Sequence, residues 1–493
     1  MPKGARAVGD ADVRLDPHAT TPLYRQLYER IRQRILDGQL AAGSRLPSTR
    51  ALAVELGISR TTTALAYQML ILEGYVESRV GDGARVARVC PSPAPASSAE
   101  RAGPARVYDA ANAVAALDAP AARPAMTARE AQSSRIFSVG IPDVTQVPWQ
   151  TWSRLVARHA RHALSKVAQR PHVAGYAPLR EAIAGHVAIT RGVRCTADDI
   201  IITAGSQGAL HLVAATLLAP GDQVWLEDPG YFGARGAVLA AGARAVPVPV
   251  DGDGLDVAVG RRLCPTARLA IVTPSHQFPT GVAMSLARRV ALLEWAATAR
   301  AWIVEDDYDS EYRYCGRPLE ALQALDAAGR VLYVGTFSKT LFPALRIGYL
   351  VAPPALRAPL LATRSVIDAG RPPLEQMALA DFIATGQYSR HIRRMQALYR
   401  ERRDALIATL EHELGGTVEV SVPPAGLHLV VWLRDALDAH NAVSLDLGVE
   451  MVSREASPPG ERAGLLLGYA NGTPDDLRTG AQQLASALRR TSG

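Results

Sequence analysis

Two apolar runs, each ending in a cluster of charged or reactive side chains, do most to limit how this chain folds. One is VLYVGTFSKT, Val331 to Thr340, which closes on small hydroxyl residues and then Lys339. The other is AWIVEDDYDSEY, Ala301 to Tyr312, in which an apolar strand from Ala301 to Val304 delivers Glu305, Asp306 and Asp307 to its C-terminal end. Open α/β sheets gather ligands outside the C-terminal ends of their strands, so both runs predict strands that feed a site. Lysine is scarce: of 54 basic side chains only Lys3, Lys166 and Lys339 are lysines. Arginine supplies charge but cannot form a Schiff base, whereas a deprotonated lysine captures a carbonyl. A lysine retained at a strand end therefore points to a carbonyl cofactor, with a plain surface lysine as the alternative.

The neighbouring segments supply parts for such a group. A pyridine ring used as an electron sink needs a carboxylate on its nitrogen, which the acidic strand end can provide, and Tyr308 can meet a ring hydroxyl. DIIITAGSQGALHLVAATLL reads as strand, turn and helix, placing Ser206, Gln207 and Gly208 at a helix N-terminus where amides hold a phosphate. QVWLEDPGYFGAR is a further strand, ending in Glu227 to Tyr231, and LAIVTPSHQFPTGVAMS is another strand and loop. The constellation resembles the fold-type-I pyridoxal-phosphate enzymes of the aspartate aminotransferase kind. The resemblance implies that Lys339 forms an internal aldimine with pyridoxal 5'-phosphate, Asp306 pairs with the pyridine nitrogen and Tyr308 contacts the phenolic oxygen. It further implies that Tyr231 stacks on the ring and that Thr336, Ser338 and Arg346 hold the phosphate. Alternating strands and helices to about residue 350 fit an α/β aminotransferase-like large domain, a mostly parallel sheet with helices on both faces. From about residue 376 a smaller α+β C-terminal domain is expected, with GLHLVVWL as one of its strands.

The first 90 residues read differently. Thr21-Pro22-Leu23 opens a helix with Leu23, Leu27, Ile31 and Ile35 at intervals of four, stopped by Gly38. LPSTRALAVELG follows, with Ser48 as N-cap and Ala51, Leu52 and Leu56 as the apolar face. ISRTTTALAYQMLILEGY then places Ser59 as the cap of a second short helix. Its Leu65, Met69 and Leu72 are expected inward, and its Arg60, Thr61, Thr62 and Thr63 exposed. Two helices joined by a glycine turn make a helix-turn-helix, whose second helix enters the DNA major groove by its N-terminus. Tyr75 to Val86 reads as a two-stranded wing with Gly81-Asp82-Gly83 at its tip. The order LPS-x-R-x-LA, LG-x-SR-x-T, AY-x-x-L-x-x-EGY and wing resembles the winged-helix domain of the GntR class. By that resemblance Arg50, Ser59, Arg60, Thr61 and Thr62 touch double-stranded operator DNA, with Arg45, Ser48 and Gly81 in support. Thr63 stands where these domains usually carry valine.

Charge agrees with an anionic partner at this end: residues 1–90 hold 13 basic and 9 acidic side chains, +4 of the chain's net +7. The four cysteines are far apart and form no C-x-x-C pair, so neither a disulfide framework nor a metal site is indicated. No apolar segment of about 18 residues or more is present and the N-terminus lacks a signal-peptide pattern, which predicts a cytoplasmic protein outside membranes. The expected division is a winged-helix domain over 15–88, an Ala/Pro-rich linker over 89–130, and a cofactor-binding, dimerising domain over 131–493.

A GntR-type winged helix, a linker and an aminotransferase-like domain together resemble the MocR/GabR-type transcriptional regulators, and SHQFPTG is wording characteristic of that subgroup. The family picture is a homodimer in which pyridoxal phosphate or an amino effector alters the arrangement of the DNA-binding heads. Three departures from aminotransferases stand out. Phe278 replaces the asparagine that bonds the ring hydroxyl, which His276 or Gln277 can offset; Leu466 occupies the place of the arginine that clamps the substrate carboxylate; and Arg170 replaces a tyrosine. They argue against efficient turnover while leaving aldimine exchange or a partial transamination open. A pyridoxal-phosphate-responsive DNA-binding regulator is the expectation. The alternatives are a genuine aminotransferase with an accessory DNA-binding domain, and a regulator whose large domain is only a dimerisation scaffold.

Overall fold

The computed structural model describes residues 15–17, 19, 21–79, 83–87, 135–162, 171–315, 320–434, 439–452 and 463–489. The chain divides into two compact units, Met1–Val107 and Tyr108–Gly493. Arg170 and the expected linker at 89–130 lie outside the described residues.

Among the described residues of the first unit three helices, α1 (Leu23–Leu36), α2 (Thr49–Glu55) and α3 (Arg60–Leu72), precede an antiparallel pair, β1 (Val76–Arg79) and β2 (Gly83–Val86). Both short helices start where a serine hydroxyl accepts a backbone amide: Ser48 from Ala51 at 3.1 Å and Ser59 from Thr62 at 3.0 Å. Gly57, at φ +65°, makes the turn between them. Leu27, Ile31 and Ile35 of α1 pack with Leu52, Ala66, Tyr67 and Leu70 into one small core.

The phase of the two short helices differs from expectation. Leu65 is exposed and Thr63 fully buried, the reverse of the sequence expectation; in α2 it is Ala53, not Ala51, that turns inward beside Leu52. One residue along a helix is a rotation of about 100°. Ala66, Tyr67 and Leu70 define the buried stripe of α3, and Thr63 belongs to it while Leu65 does not. Gly81 and Asp82, expected at the wing tip, are outside the described residues.

The second unit is built on an eight-stranded sheet among its described residues. Its strands are β3 (Ile200–Thr203), β4 (Gln223–Asp228), β5 (Arg244–Asp251), β6 (Gly254–Leu255), β7 (Leu269–Val272), β8 (Trp302–Asp307), β9 (Val331–Thr336) and β10 (Gly348–Val351). They lie in the order β3-β10-β9-β8-β7-β4-β5-β6. The β9-β8-β7-β4-β5 run is parallel, and β10 is inserted antiparallel between β3 and β9. Side chains of a strand alternate between faces. Accordingly Val304 and Leu332 join one apolar layer while Ile303 and Val331 join the other, so both sheet faces are covered.

A second sheet, β11 (Val418–Ser421), β12 (His428–Leu433), β13 (Glu450–Met451) and β14 (Gly464–Gly468), is antiparallel in the order β11-β12-β14-β13. The helices Gln387–Leu414 and Pro474–Leu488 add Leu406, Leu410, Leu477 and Leu484 to the core that takes Leu465 and Leu467 from β14. No described helix is long and apolar enough to cross a membrane.

Candidate cofactor site and its surroundings

Strand β8 carries its three acidic residues as strand positions rather than as a loop after Val304. Alternation then separates them. Glu305 accepts the backbone amides of Leu322 and Gln323 at 2.8 and 2.9 Å. Asp307 takes the Arg191 guanidinium at 2.7 Å and the Tyr333 hydroxyl at 2.6 Å. Asp306, between them, is buried and its Oδ1 has no hydrogen-bond partner. Burial, with Asp307 and Glu227 adding repulsion and Lys339 opposing them, pushes its carboxyl up to about 7. A buried carboxylate oxygen without a donor is costly, and a charged or N–H-bearing group of a ligand relieves it.

Lys339 follows β9 by three residues, and its ammonium donates to the carbonyl of Gly140 at 2.7 Å. Gly140 sits at φ +67°, and a Cβ there would lie 2.8 Å from the Lys339 nitrogen. The arm that carries Gly140 is tied down on the smaller sheet: Phe137 donates to Leu447 at 2.8 Å, Gly468 donates to Phe137 at 2.9 Å, and Val139 packs on Leu466 and Val430.

The residues expected at the phosphate converge on the N-terminus of the helix Gly205–Leu217. Ser206 and Gln207 occupy its first turn, and Arg346, in the left-handed region at φ +46°, donates to the carbonyl of Ala204 at 3.1 Å. A Cβ on Gly205 would stand 3.5 Å from the Arg346 guanidinium, and one on Gly348 would strike the Gly205 backbone at 2.6 Å, so two glycines permit this approach. Thr336 Oγ1 accepts the Ser338 amide at 3.2 Å, and the buried Ser338 Oγ has no partner. A cavity of about 330 Å³ opens beside Gln207, Gly208 and Arg346. Helix amides, a guanidinium and hydroxyls are the kinds of group that hold an anion.

Three aromatic rings line the other side. Tyr231 donates to Gln207 Oε1 at 3.3 Å. Phe278 stands edge-on between Tyr231 and Tyr308, its centroid 6.1 and 6.2 Å from theirs. Tyr308 Oη lies 3.0 Å from His276 Nδ1, which is 3.0 Å from Asp309 Oδ1. Tyr308 and Asp309 thus meet at one ring nitrogen of His276. Gln277 points elsewhere, to Glu227 and the carbonyls of Pro229 and Phe278.

Among the described residues His276, Asp309 and His428 also bring ligating atoms within 4.8 Å of one another, all three buried. Nδ1 of His276 is already engaged by Asp309 and Tyr308, and Nε2 of His428 faces the Pro279 carbonyl at 3.0 Å. Asp309, His428 and Gly140 were not foreseen. A lone histidine in the apolar run of β12 carries no pattern, and the Gly140–Lys339 contact spans 199 residues. Asp309 alone had a local signal, two positions beyond Asp307 in the acidic run.

The DNA-contact candidates gather at the starts of α2 and α3. Arg45, Ser48, Arg50, Ser59, Arg60 and Thr61 are exposed and Thr62 half-buried, its hydroxyl 2.8 Å from that of Ser59.

A mostly parallel sheet of this order, with a lysine and a buried aspartate at its strand ends, is that of a fold-type-I aminotransferase-like domain. The family model for aminotransferase class I and II matches residues 137–484, and that for bacterial regulatory proteins of the gntR family matches 23–86. Kynurenine aminotransferase of Pyrococcus horikoshii, solved with PMP, superposes with a TM-score of 0.68 at 27% identity over 75% of this chain and 94% of its own. LysN of Thermus thermophilus, an α-aminoadipate aminotransferase complexed with N-(5'-phosphopyridoxyl)-L-leucine, gives 0.66 at 28% over 73% and 92%. Over the full chain, the "Probable rhizopine catabolism regulatory protein MocR" of Rhizobium meliloti is 41% identical across 96% of this chain and 95% of its own length. The pyridoxine biosynthesis transcriptional regulator PdxR of Corynebacterium glutamicum is 30% identical across 98% and 99%. The chain belongs to the MocR-type regulators of the GntR family, in which a winged-helix segment is fused to an aminotransferase-like pyridoxal-phosphate domain.

Proposed function

We propose that the protein is a pyridoxal-phosphate-dependent DNA-binding transcriptional regulator that senses the cofactor, or an amino compound, through Lys339. The observation that carries this reading is Asp306, a buried carboxyl with a partnerless oxygen that feels the charge of Lys339. These residues suit the cofactor: Asp306 for the pyridine nitrogen, Tyr308 for the phenolic oxygen and Tyr231 for a ring face. Ser206, Gln207, Thr336, Ser338 and Arg346 would hold the phosphate. When bound, the cofactor supplies an aldehyde that a primary amine can capture and a ring that withdraws electrons.

Arg45, Ser48, Arg50, Ser59, Arg60, Thr61, Thr62 and Gly81 would form the operator surface, within a DNA-binding domain over 15–88 joined by a linker over 89–130 to an effector domain over 131–493. The assembly proposed is a cytoplasmic homodimer. A ligand shifts such a dimer only by its differential affinity for two arrangements of the heads. Efficient transamination is not proposed, because Leu466 offers no cation to a substrate carboxylate.

The test is an absorbance titration of the purified protein with pyridoxal phosphate, followed by binding to its own upstream DNA with and without the cofactor. A cofactor–lysine band with cofactor-dependent DNA binding supports the reading. A band with amino-acid turnover and no DNA binding favours the enzyme. No band leaves the scaffold.

A further inference from the structure

Strand β14 divides its leucines by alternation: Leu465 and Leu467 enter the main core, and Leu466 faces the other way. On that face Leu466 packs with Val139 and Val430, and the partly exposed Phe278, Trp432 and Val452 extend the same patch. This patch borders the lysine. Val139 precedes Gly140, whose carbonyl holds Lys339, and Phe278 is the ring set between Tyr231 and Tyr308.

By the resemblance to aminotransferases, Leu466 stands where those enzymes carry the arginine that clamps a substrate's α-carboxylate. A carboxylate brought against Leu466, Val430 and Phe278 instead loses its water and gains no cation from them. An aliphatic or aromatic substituent in the same place gains burial with every methylene. We propose that the effector of this site is a primary amine without an α-carboxylate, whose apolar substituent rests on Leu466, Val430 and Phe278. The inference rests on the cofactor reading above and narrows it from amino compounds in general to amines with an uncharged carbon next to nitrogen.

Two stable adducts differing only in the carboxylate provide the test. N-(5'-phosphopyridoxyl)-L-leucine and its decarboxylated counterpart, N-(5'-phosphopyridoxyl)-3-methylbutylamine, are titrated calorimetrically into the cofactor-free full-length protein. The amine adduct is expected to bind at least about tenfold more tightly, the scale set by an unpaired charge on an apolar wall. Leu466→Arg is expected to narrow or reverse that ratio. Equal or tighter binding of the leucine adduct to the unaltered protein overturns the inference and leaves the cofactor site standing. Binding of neither adduct overturns both. The comparison on the unaltered protein decides the matter even if Leu466→Arg fails to fold.

Discussion

Lys339 and Gly140 meet at 2.7 Å although 199 residues separate them, and the meeting is an ammonium held by a backbone carbonyl. That bond positions the lysine, and replacing the side chain tests capture chemistry apart from stability. Lys339→Ala is expected to abolish the cofactor–lysine absorbance band while costing no more than about 1 kcal/mol in urea unfolding. A band that survives in the variant would place the reactive amine elsewhere.

Asp306 gives a pH-dependent prediction. Its carboxyl is pushed from 3.8 up to about 7 in the cofactor-free fold, chiefly by burial. A raised carboxyl pKa means the folded state holds the proton more tightly. Its contribution is then fully present below about 3.8 and is lost as pH rises through about 7. Asp306→Asn should therefore unfold at higher urea than the unaltered protein at pH 8, with the gap closing toward pH 5, while retaining pyridoxal phosphate at least about tenfold less well by equilibrium dialysis.

Arg60 stands exposed at the N-terminus of α3, where a recognition helix meets the groove. Arg60→Ala is expected to weaken operator binding and, for a phosphate contact, to lower the salt slope by about one unit. The cofactor band should be unaffected, since Arg60 lies in the other unit. Operator affinity and slope identical to the unaltered protein would remove Arg60 from the interface.

His391 predicts an acid-side weakness. It is buried against the Thr340 carbonyl at 3.0 Å, one residue after the lysine, and burial lowers its pKa from 6.5 to about 4. A depressed histidine costs nothing above about 6.5 and destabilises progressively as pH falls to about 4. His391→Gln should flatten the stability profile between pH 6.5 and 4 in urea titrations, and an unchanged slope would assign the acid sensitivity to other groups.

Thr63 is fully buried, and its hydroxyl reaches only the Ser59 carbonyl, at 3.4 Å. Desolvation of that hydroxyl is poorly offset by so long a bond. Thr63→Val is expected to raise the stability of the winged-helix unit by up to about 1 kcal/mol, read from its thermal unfolding. A fall in stability would show that the hydroxyl bond matters more than its length suggests.

The legible parts of this chain are those where chemistry is written locally. Strand ends loaded with Asp306 or Lys339, serines three residues ahead of the amides they cap, and switching periodicity all sit within a few positions of one another. Phase in α3 was harder, because Leu65 looks like core by type and Thr63 looks like surface. Only packing against Leu27 and Leu52 of other helices decides which side turns in. Gly140 and His428 lay beyond reach for a different reason: each acts through a backbone or ring atom presented by a distant segment, with no spacing to betray it. The fate of Glu305 and Asp307 was likewise invisible, since their partners Leu322, Gln323 and Arg191 come from other parts of the fold.

The arm from Phe137 to Gly140 is bonded to Gly468 at one end and to the lysine at the other, with Val139 pressed on Leu466 between. A shift that lifts Val139 off Leu466 also draws the Gly140 carbonyl away from the Lys339 nitrogen, so one four-residue strap sets both the packing on the small sheet and the resting position of the lysine.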